Sequence, residues 1–260
     1  MPGYRRFVAL MLQVLSLSCA LAGLLAAPAA AQSPPNHIAA RLLAESPTLP
    51  GSSATLAPAM LAIAMAPQPG WHGYWANPGD AGFGMRLEWS LPAGAAAGVP
   101  RYPVPQTLMV SGLMNHVFEQ AYAVLVPLTL PAGTAAGTAI PVRLKAEWLA
   151  CTVQICVPES AELTTTVIAG TARPDPQFDL WRAALPAPLG ASAHFVLDGK
   201  TIRLGIPLPA AMALDNPHLF PAEDKLIAYA ARQEFRRKGD LLIVTLSRPD
   251  MAAASPTTMN

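Results

Sequence analysis

Ala139-Ile-Pro-Val-Arg-Leu-Lys-Ala-Glu-Trp-Leu-Ala-Cys151, Thr152-Val-Gln-Ile155 and Cys156-Val-Pro-Glu159 follow one another without a break, and their reading decides the fold. Val142, Leu144, Ala146 and Trp148 alternate with Arg143, Lys145 and Glu147, the period-two pattern of a strand with one apolar face. Continuing that parity places Cys151 on the charged, solvent-facing side unless a bulge intervenes. Four residues separate Cys151 from Cys156, enough for a hairpin loop to bring them opposite each other at a separation a disulfide can bridge. Such a bond closes a small ring, which chain entropy makes worth only roughly 2 kcal/mol. On these residues alone the pair is either a quiet structural staple or a reactive bond.

Outward from this stretch the chain keeps the same texture. Short apolar or alternating runs at residues 60–65, 85–89, 121–130, 139–150 and 162–168 read as strands, and most of the 28 prolines lie between runs as turn and edge punctuation. Regularly spaced short strands of this kind predict an all-β protein, a β-sandwich rather than a helical domain. Past residue 171 a short helix over 178–185 precedes two hairpins. Asp198-Gly199 supplies the positive φ of a type I′ turn in one, and Lys238-Gly239 marks the other. These form a second, smaller β-rich unit.

The N-terminus reads as an export signal. Arg5 and Arg6 precede an apolar run over residues 7–25, and Ala29-Ala-Ala31 offers a small-residue cleavage site before Gln32. The run is nearly long enough to span a bilayer, so an uncleaved anchor is the alternative. Cleavage would discard Cys19 and leave Cys151 and Cys156 as the only cysteines, an even count suited to an oxidising compartment. It would also remove Arg5 and Arg6 and no acid, leaving 15 basic against 16 acidic side chains. That balance gives no reason to expect a nucleic-acid partner. The expected organisation is a signal peptide at 1–31, a linker-like segment at 32–55 with a short strand or helical turn near 38–43, the sandwich domain with the cysteine pair at 56–170, the second unit at 171–250 and a disordered tail at 251–260.

Five segments in order carry a resemblance. Trp71-His-Gly-Tyr-Trp-Ala-Asn-Pro-Gly-Asp-Ala-Gly82, Leu87-Glu-Trp-Ser-Leu-Pro92, Tyr102-Pro-Val-Pro105, the Trp148–Glu159 stretch and Leu219-Phe-Pro-Ala-Glu-Asp224 together resemble the periplasmic N-terminal region of the DsbD/ScsB thiol:disulfide interchange proteins. The similarity spans roughly residues 50–248. It implies an immunoglobulin-like sandwich whose cysteine pair, here Cys151 and Cys156, is catalytic, reduced by a membrane thiol reductant and reoxidised by periplasmic thioredoxin-like or disulfide-containing proteins. The chain would then be a thiol:disulfide oxidoreductase component, periplasmic, without cofactor or metal. Because the sequence stops at Asn260, before the membrane and thioredoxin-like domains of the full-length family, the reductant is expected to act in trans. The alternative is a non-catalytic binding or assembly module with a structural disulfide.

Family members shield the pair with a cap loop. Asn115-His-Val-Phe-Glu119 is assigned to it here, with His116, Phe118 and Glu119 over the pair and Phe118 as the shield. His116 would serve as a local base beside the cysteines, or else be a solvated loop residue. Glu147 and Glu159 would disfavour a thiolate. Met109 and Met114 read as core filler rather than metal ligands. Trp71, Tyr74, Trp75 and Trp89 read as core and turn packing, and Asn77-Pro-Gly-Asp80 as a turn.

Overall fold

The computed structural model describes residues 35–45, 59–170 and 175–249, and these are nearly all β. The expected signal peptide, residues 46–55 of the linker-like segment and the tail lie outside the described residues. Ten strands come first: β1 (Ile38–Glu45), β2 (Ala59–Pro67), β3 (Gly73–Gly79), β4 (Arg86–Ser90), β5 (Ala96–Ala97), β6 (Gln106–Val110), β7 (Leu113–Phe118), β8 (Tyr122–Thr129), β9 (Ala139–Cys151) and β10 (Cys156–Ile168). They pair antiparallel in the orders β1-β2-β8-β5, β10-β9-β4 and β3-β7-β6. The first two sheets face each other as an immunoglobulin-like sandwich. Leu61, Ile63 and Met65 of β2 and Val124, Val126 and Leu128 of β8 share a core with Val142, Leu144, Ala146, Trp148 and Ala150 of β9. The alternation read from residues 142–148 is therefore the inward face of β9, with Arg143, Lys145 and Glu147 outside.

β2 and β8 do not alternate in sequence because they are covered on both sides. Ala62 and Leu125 point away from the sandwich core and pack with the fully buried Phe178 of α1 (Pro176–Ala183). That helix begins two residues before the start expected from the sequence. Asp175 caps it by accepting from the Gln177 N–H at 2.9 Å, and Pro176 fills the first turn, where no N–H is needed. Arg182 reaches back to Glu45 at the end of β1 and to Asp179 one turn earlier. β1 itself runs over Ile38–Glu45 as a full edge strand paired with β2, where the sequence offered a short strand or helical turn near 38–43.

Past α1, strands β11 (His194–Asp198), β12 (Thr201–Pro207), β13 (Glu234–Lys238) and β14 (Leu241–Ser247) make a separate sheet in the order β11-β12-β14-β13. Ile202, Leu204, Val244 and Leu246 pack beneath Leu208, Leu226, Ile227 and Tyr229 as a second core. The β11–β12 turn carries positive φ at Gly199 but not at Lys200, which fits type II′ rather than the type I′ expected from Asp-Gly. The unexpected type I′ hairpin is β6–β7, where Ser111 and Gly112 both have positive φ.

A buried polar side chain ties β3 to the second unit. Asn77, read from sequence as part of a turn, lies buried in irregular β3 and donates its amide to the carbonyls of Pro221 at 2.8 Å and Glu223 at 2.9 Å. Its nitrogen also lies 2.9 Å from the Tyr229 hydroxyl, and its oxygen accepts from the Gly79 N–H. Replacing it by Ala strips buried carbonyls of their donor, at a cost of about 1–3 kcal/mol. Asn77→Ala is expected to lower the urea midpoint and to make residues 208–233 the first site of limited proteolysis.

Candidate functional site

Cys151 is the last residue of β9 and Cys156 the first of β10; they lie directly opposite in the ladder with Cα atoms 4.1 Å apart and are disulfide-bonded. Between them Thr152 donates its N–H to the Ile155 carbonyl at 2.8 Å, and its hydroxyl oxygen accepts from the N–H groups of Gln154 and Ile155 at 3.1 Å. This locks the tip into a tight turn. On its other side Cys151 exchanges two backbone hydrogen bonds with His72, at 2.8 and 3.0 Å. A strand residue bonded in this way to one neighbour stands in the non-hydrogen-bonded position toward the other, where Cα atoms approach most closely.

The two sulfurs live in different surroundings. Cys156 is exposed, flanked at the tip by Val153 at 61% and Ile155 at 57% exposure. Cys151 is 0% exposed, a correction to the solvent-facing position read from parity. The parity itself holds, since Leu149 and Cys151 share the side of β9 that carries Arg143, Lys145 and Glu147. What changes is the covering: β3, β7 and β6 close over the end of that side, and Tyr74, Val117, Leu149 and Cys151 form a cluster against which Phe83 and Leu108 pack. The loop bearing Phe83 fits closely because Gly82, at φ +91°, lies flat on the Tyr74 ring, where a Cβ would come within 2.5 Å.

The cap assignment needs correction as well. Residues 113–118 are strand β7, not a loop. Phe118 stacks on Tyr122 at 4.1 Å in the sandwich core, so it is Tyr74, Phe83 and Leu108 that cover Cys151, while Cys156 stays exposed. His116 is fully buried and donates from Nδ1 to the Asn77 carbonyl at 2.9 Å, facing Trp75, Phe220 and Tyr229 rather than the cysteines. Alternation along β7 explains this: Val117 points to the Cys151 cluster, so its neighbour His116 points away. Of the three residues only Glu119 acts on a neighbour of the pair, through its charge on the His72 imidazole. The β3–β7 register pairs Gly73 with Phe118, so one further step sets exposed Glu119 beside His72.

Glu159 does not face the disulfide either. It pairs with Trp148 across the ladder, on the opposite side of the sheet from Cys151. There its buried carboxylate accepts from the N–H groups of His37 and Ile38, from His37 Nδ1 at 2.7 Å and from Trp148 Nε1 at 3.0 Å. Trp71 stacks on the His37 ring at 3.6 Å. Glu147 is on the side of Cys151, but bonded to Lys145 at 2.8 Å. Met114 packs in the second core, and Met109, opposite it in the β6–β7 ladder, is exposed.

The family model described as thiol:disulfide interchange protein DsbD, N-terminal, matches residues 39–168, which is β1 to β10 and half of the chain. The chain belongs to this family. It is a thiol–disulfide interchange domain by membership, and β11–β14 lie beyond the matched region. Among solved structures it is similar to the N-terminal periplasmic domain of ScsB from Proteus mirabilis, at 17% identity and a TM-score of 0.60, over 85% of this chain and 84% of that one. At that identity the likeness speaks for the fold. No curated protein matches the chain. Among the described residues no helix is long and apolar enough to cross a membrane.

Sequence reasoning missed His72, although it lies inside the quoted Trp71–Gly82 segment; no alternating run flanks it to fix its side. Burial lowers the pKa of His72, with the Glu119 carboxylate pulling the other way. Burial likewise lowers His116 against its bond to Asn77, and lowers His218, with His116 adding to the effect. All three bind protons more readily unfolded than folded, so stability must rise with pH through this range and fall as pH drops below the ordinary histidine value of about 6.5. Chemical denaturation at successive pH values should show that loss, and replacing His116 by Gln should reduce it. For the cysteines, iodoacetamide added to the reduced, folded protein is expected to modify Cys156 well before Cys151, as read by peptide mass spectrometry.

Proposed function

We propose that this protein is a periplasmic thiol–disulfide interchange component, relaying electrons from a membrane thiol reductant to oxidised periplasmic proteins through Cys151 and Cys156. The observation that carries the reading is the asymmetric burial of the pair: one sulfur exposed on an apolar hairpin tip, the other enclosed. Exchange requires a thiolate to approach one disulfide sulfur in line while the other leaves. Cys156 offers that approach, and Val153 and Ile155 beside it give a thioredoxin-like partner an apolar contact.

One turnover consists of two exchanges. A donor thiolate attacks Cys156 Sγ, the bond to Cys151 breaks, and Cys151 leaves with the electron pair. The donor's second thiol then attacks its own sulfur in the mixed disulfide, leaving donor disulfide and protein dithiol. In the second half Cys156 attacks the disulfide of an oxidised protein, and Cys151 attacks Cys156 Sγ to release that protein reduced. Cys156 is thus the interchange sulfur and Cys151 the resolving one.

A purely structural role has less to recommend it. β9 and β10 already pair over their full thirteen residues, and the disulfide sits at the end of that ladder, where a further staple adds little. Periplasmic placement is supported by the fold shared with a periplasmic domain and by a disulfide that needs an oxidising compartment.

The reduction potential of the bond, measured by equilibration in thiol buffers, is expected between about −120 and −270 mV, the range of exchange proteins. A value below about −300 mV would mark a structural bond and transfer the case to the binding-module reading. Trapping should follow burial. Cys151→Ser, which frees the exposed thiol, is expected to accumulate mixed disulfides with periplasmic proteins, whereas Cys156→Ser should trap few or none.

A further inference from the structure

The register of four neighbouring strand segments puts four chemically active side chains in one line. Glu119 follows β7, His72 precedes β3, Cys151 ends β9 and Cys156 begins β10. Cys151 and Cys156 are a ladder pair, His72 and Cys151 exchange both backbone hydrogen bonds, and the β3–β7 register continues to Glu119. Directly opposed residues in antiparallel strands project from the same side of the sheet with Cβ atoms about 4.5–5.5 Å apart. This register puts the imidazole on the same side of the sheet as the buried sulfur, one strand away, with Glu119 close enough on the next segment for its charge to act on the ring. His72 Tyr74 ring contact, edge-on at 5.5 Å, confirms that the imidazole is on the side of the sheet that carries the Cys151 cluster.

That line answers a difficulty in the exchange, and the answer rests on the relay reading above. Cys151 is fully buried among Tyr74, Val117 and Leu149, so a thiolate leaving there is stripped of water and has no solvent proton at hand. We propose that Glu119, His72 and Cys151 form a carboxylate–imidazole–thiol relay that carries the proton of the buried cysteine in and out during exchange. When a partner thiolate attacks Cys156, the electron pair of the broken bond passes to Cys151, whose thiolate takes a proton from one nitrogen of the His72 ring as the other nitrogen gains one from solvent at the Glu119 end. When Cys151 must resolve a mixed disulfide, neutral His72 accepts its proton, and the thiolate attacks Cys156 Sγ and expels the acceptor's thiolate. Glu119, exposed at the end of the line, holds charge opposite the imidazolium and lets the proton exchange with solvent.

The ionisable groups facing His72 are Cys151 from β9, Tyr74 from its own strand and Glu119 from the segment after β7. Tyr74 is kept neutral, since burial raises its pKa. Glu119 is the charged group that acts on the imidazole, in the direction that favours its protonated form. Among the described residues the His72 ring has no hydrogen-bond partner, Cys151 Sγ and the Glu119 carboxylate included, so the line is one of position in the disulfide form.

The test uses the Cys156→Ser protein, in which Cys151 is the free thiol of the site, and follows thiolate formation by ultraviolet absorbance as pH is raised. Adding His72→Gln is expected to raise the Cys151 pKa by about one unit, a roughly tenfold loss of thiolate at a given pH. It should also turn a two-step titration, imidazole and thiol coupled, into a single step. Glu119→Gln should move the His72 imidazole pKa, read by NMR, downward, and raise the thiol pKa by less than His72→Gln does. An unchanged Cys151 titration in folded His72→Gln protein would overturn the relay. Should that variant not fold, the exposed Glu119→Gln substitution decides: unchanged imidazole and thiol titrations would overturn it equally. No redox partner enters these measurements, so a structural potential would sink the electron relay without touching this result, and the reverse also holds.

Discussion

The end of the β9–β10 hairpin must be covered on both faces, and much of the structure exists to do it. Over most of its length β9 needs only one apolar side, which Val142, Leu144, Ala146, Trp148 and Ala150 supply to the sandwich core. Its other side can carry Arg143, Lys145 and Glu147 into water. At Leu149 and Cys151 that arrangement ends, because both are buried. β4 flanks only residues 143–147 of β9, so the last turn of the strand would otherwise present an open edge and an apolar side together. The chain entering β3 takes up that edge through His72, and β7, β6 and the Phe83 loop close the side. A small third sheet with little hydrophobic periodicity of its own is held in place by what it covers.

The two faces of the hairpin separate structure from chemistry. On the inner face Glu159 gathers the N–H groups of His37 and Ile38, the His37 ring and the Trp148 indole, and so fixes the start of β1 against β10. A buried carboxylate with several donors is costly to disturb, which suits an anchor and not a group meant to change charge during turnover. On the outer face, three residues away, Cys156 is exposed at the hairpin tip. Pro158 between them sits on the β10 edge, where no ladder hydrogen bond is lost. The short run from Cys156 to Glu159 thus holds one residue that must be accessible and one that must not.

What was legible in the sequence was what periodicity can express. β4, β8, β9 and the hairpins of the second unit were readable because each presents alternating or continuous apolar residues between turn signals. β3, β6 and β7 were not. Their residues meet different neighbours from one position to the next: Tyr74 the cysteine cluster, Asn77 the second unit, Phe118 the sandwich core. No single face exists for a pattern to report. The same cause misplaced the cap and chose His116 over His72. Both histidines are buried, and only strand register distinguishes the one beside the sulfur from the one behind the sheet.

One register also accounts for the reach of the disulfide. The hydrogen bonds between His72 and Cys151 occupy the backbone groups of Cys151 on the β3 side, so toward β10 it takes the non-hydrogen-bonded position, where opposing side chains stand closest. Thr152 then falls in the bonded position and makes its bond to Ile155, which is what allows so short a tip. A slip of one residue at His72 would move the imidazole to the other side of the sheet and, by the same alternation, bring Cys151 out of the close-pair site. The contact that supplies a proton partner to the buried sulfur is therefore the contact that sets the sulfur within bonding distance of its mate. Neither feature could be altered by itself while the backbone bridge remained.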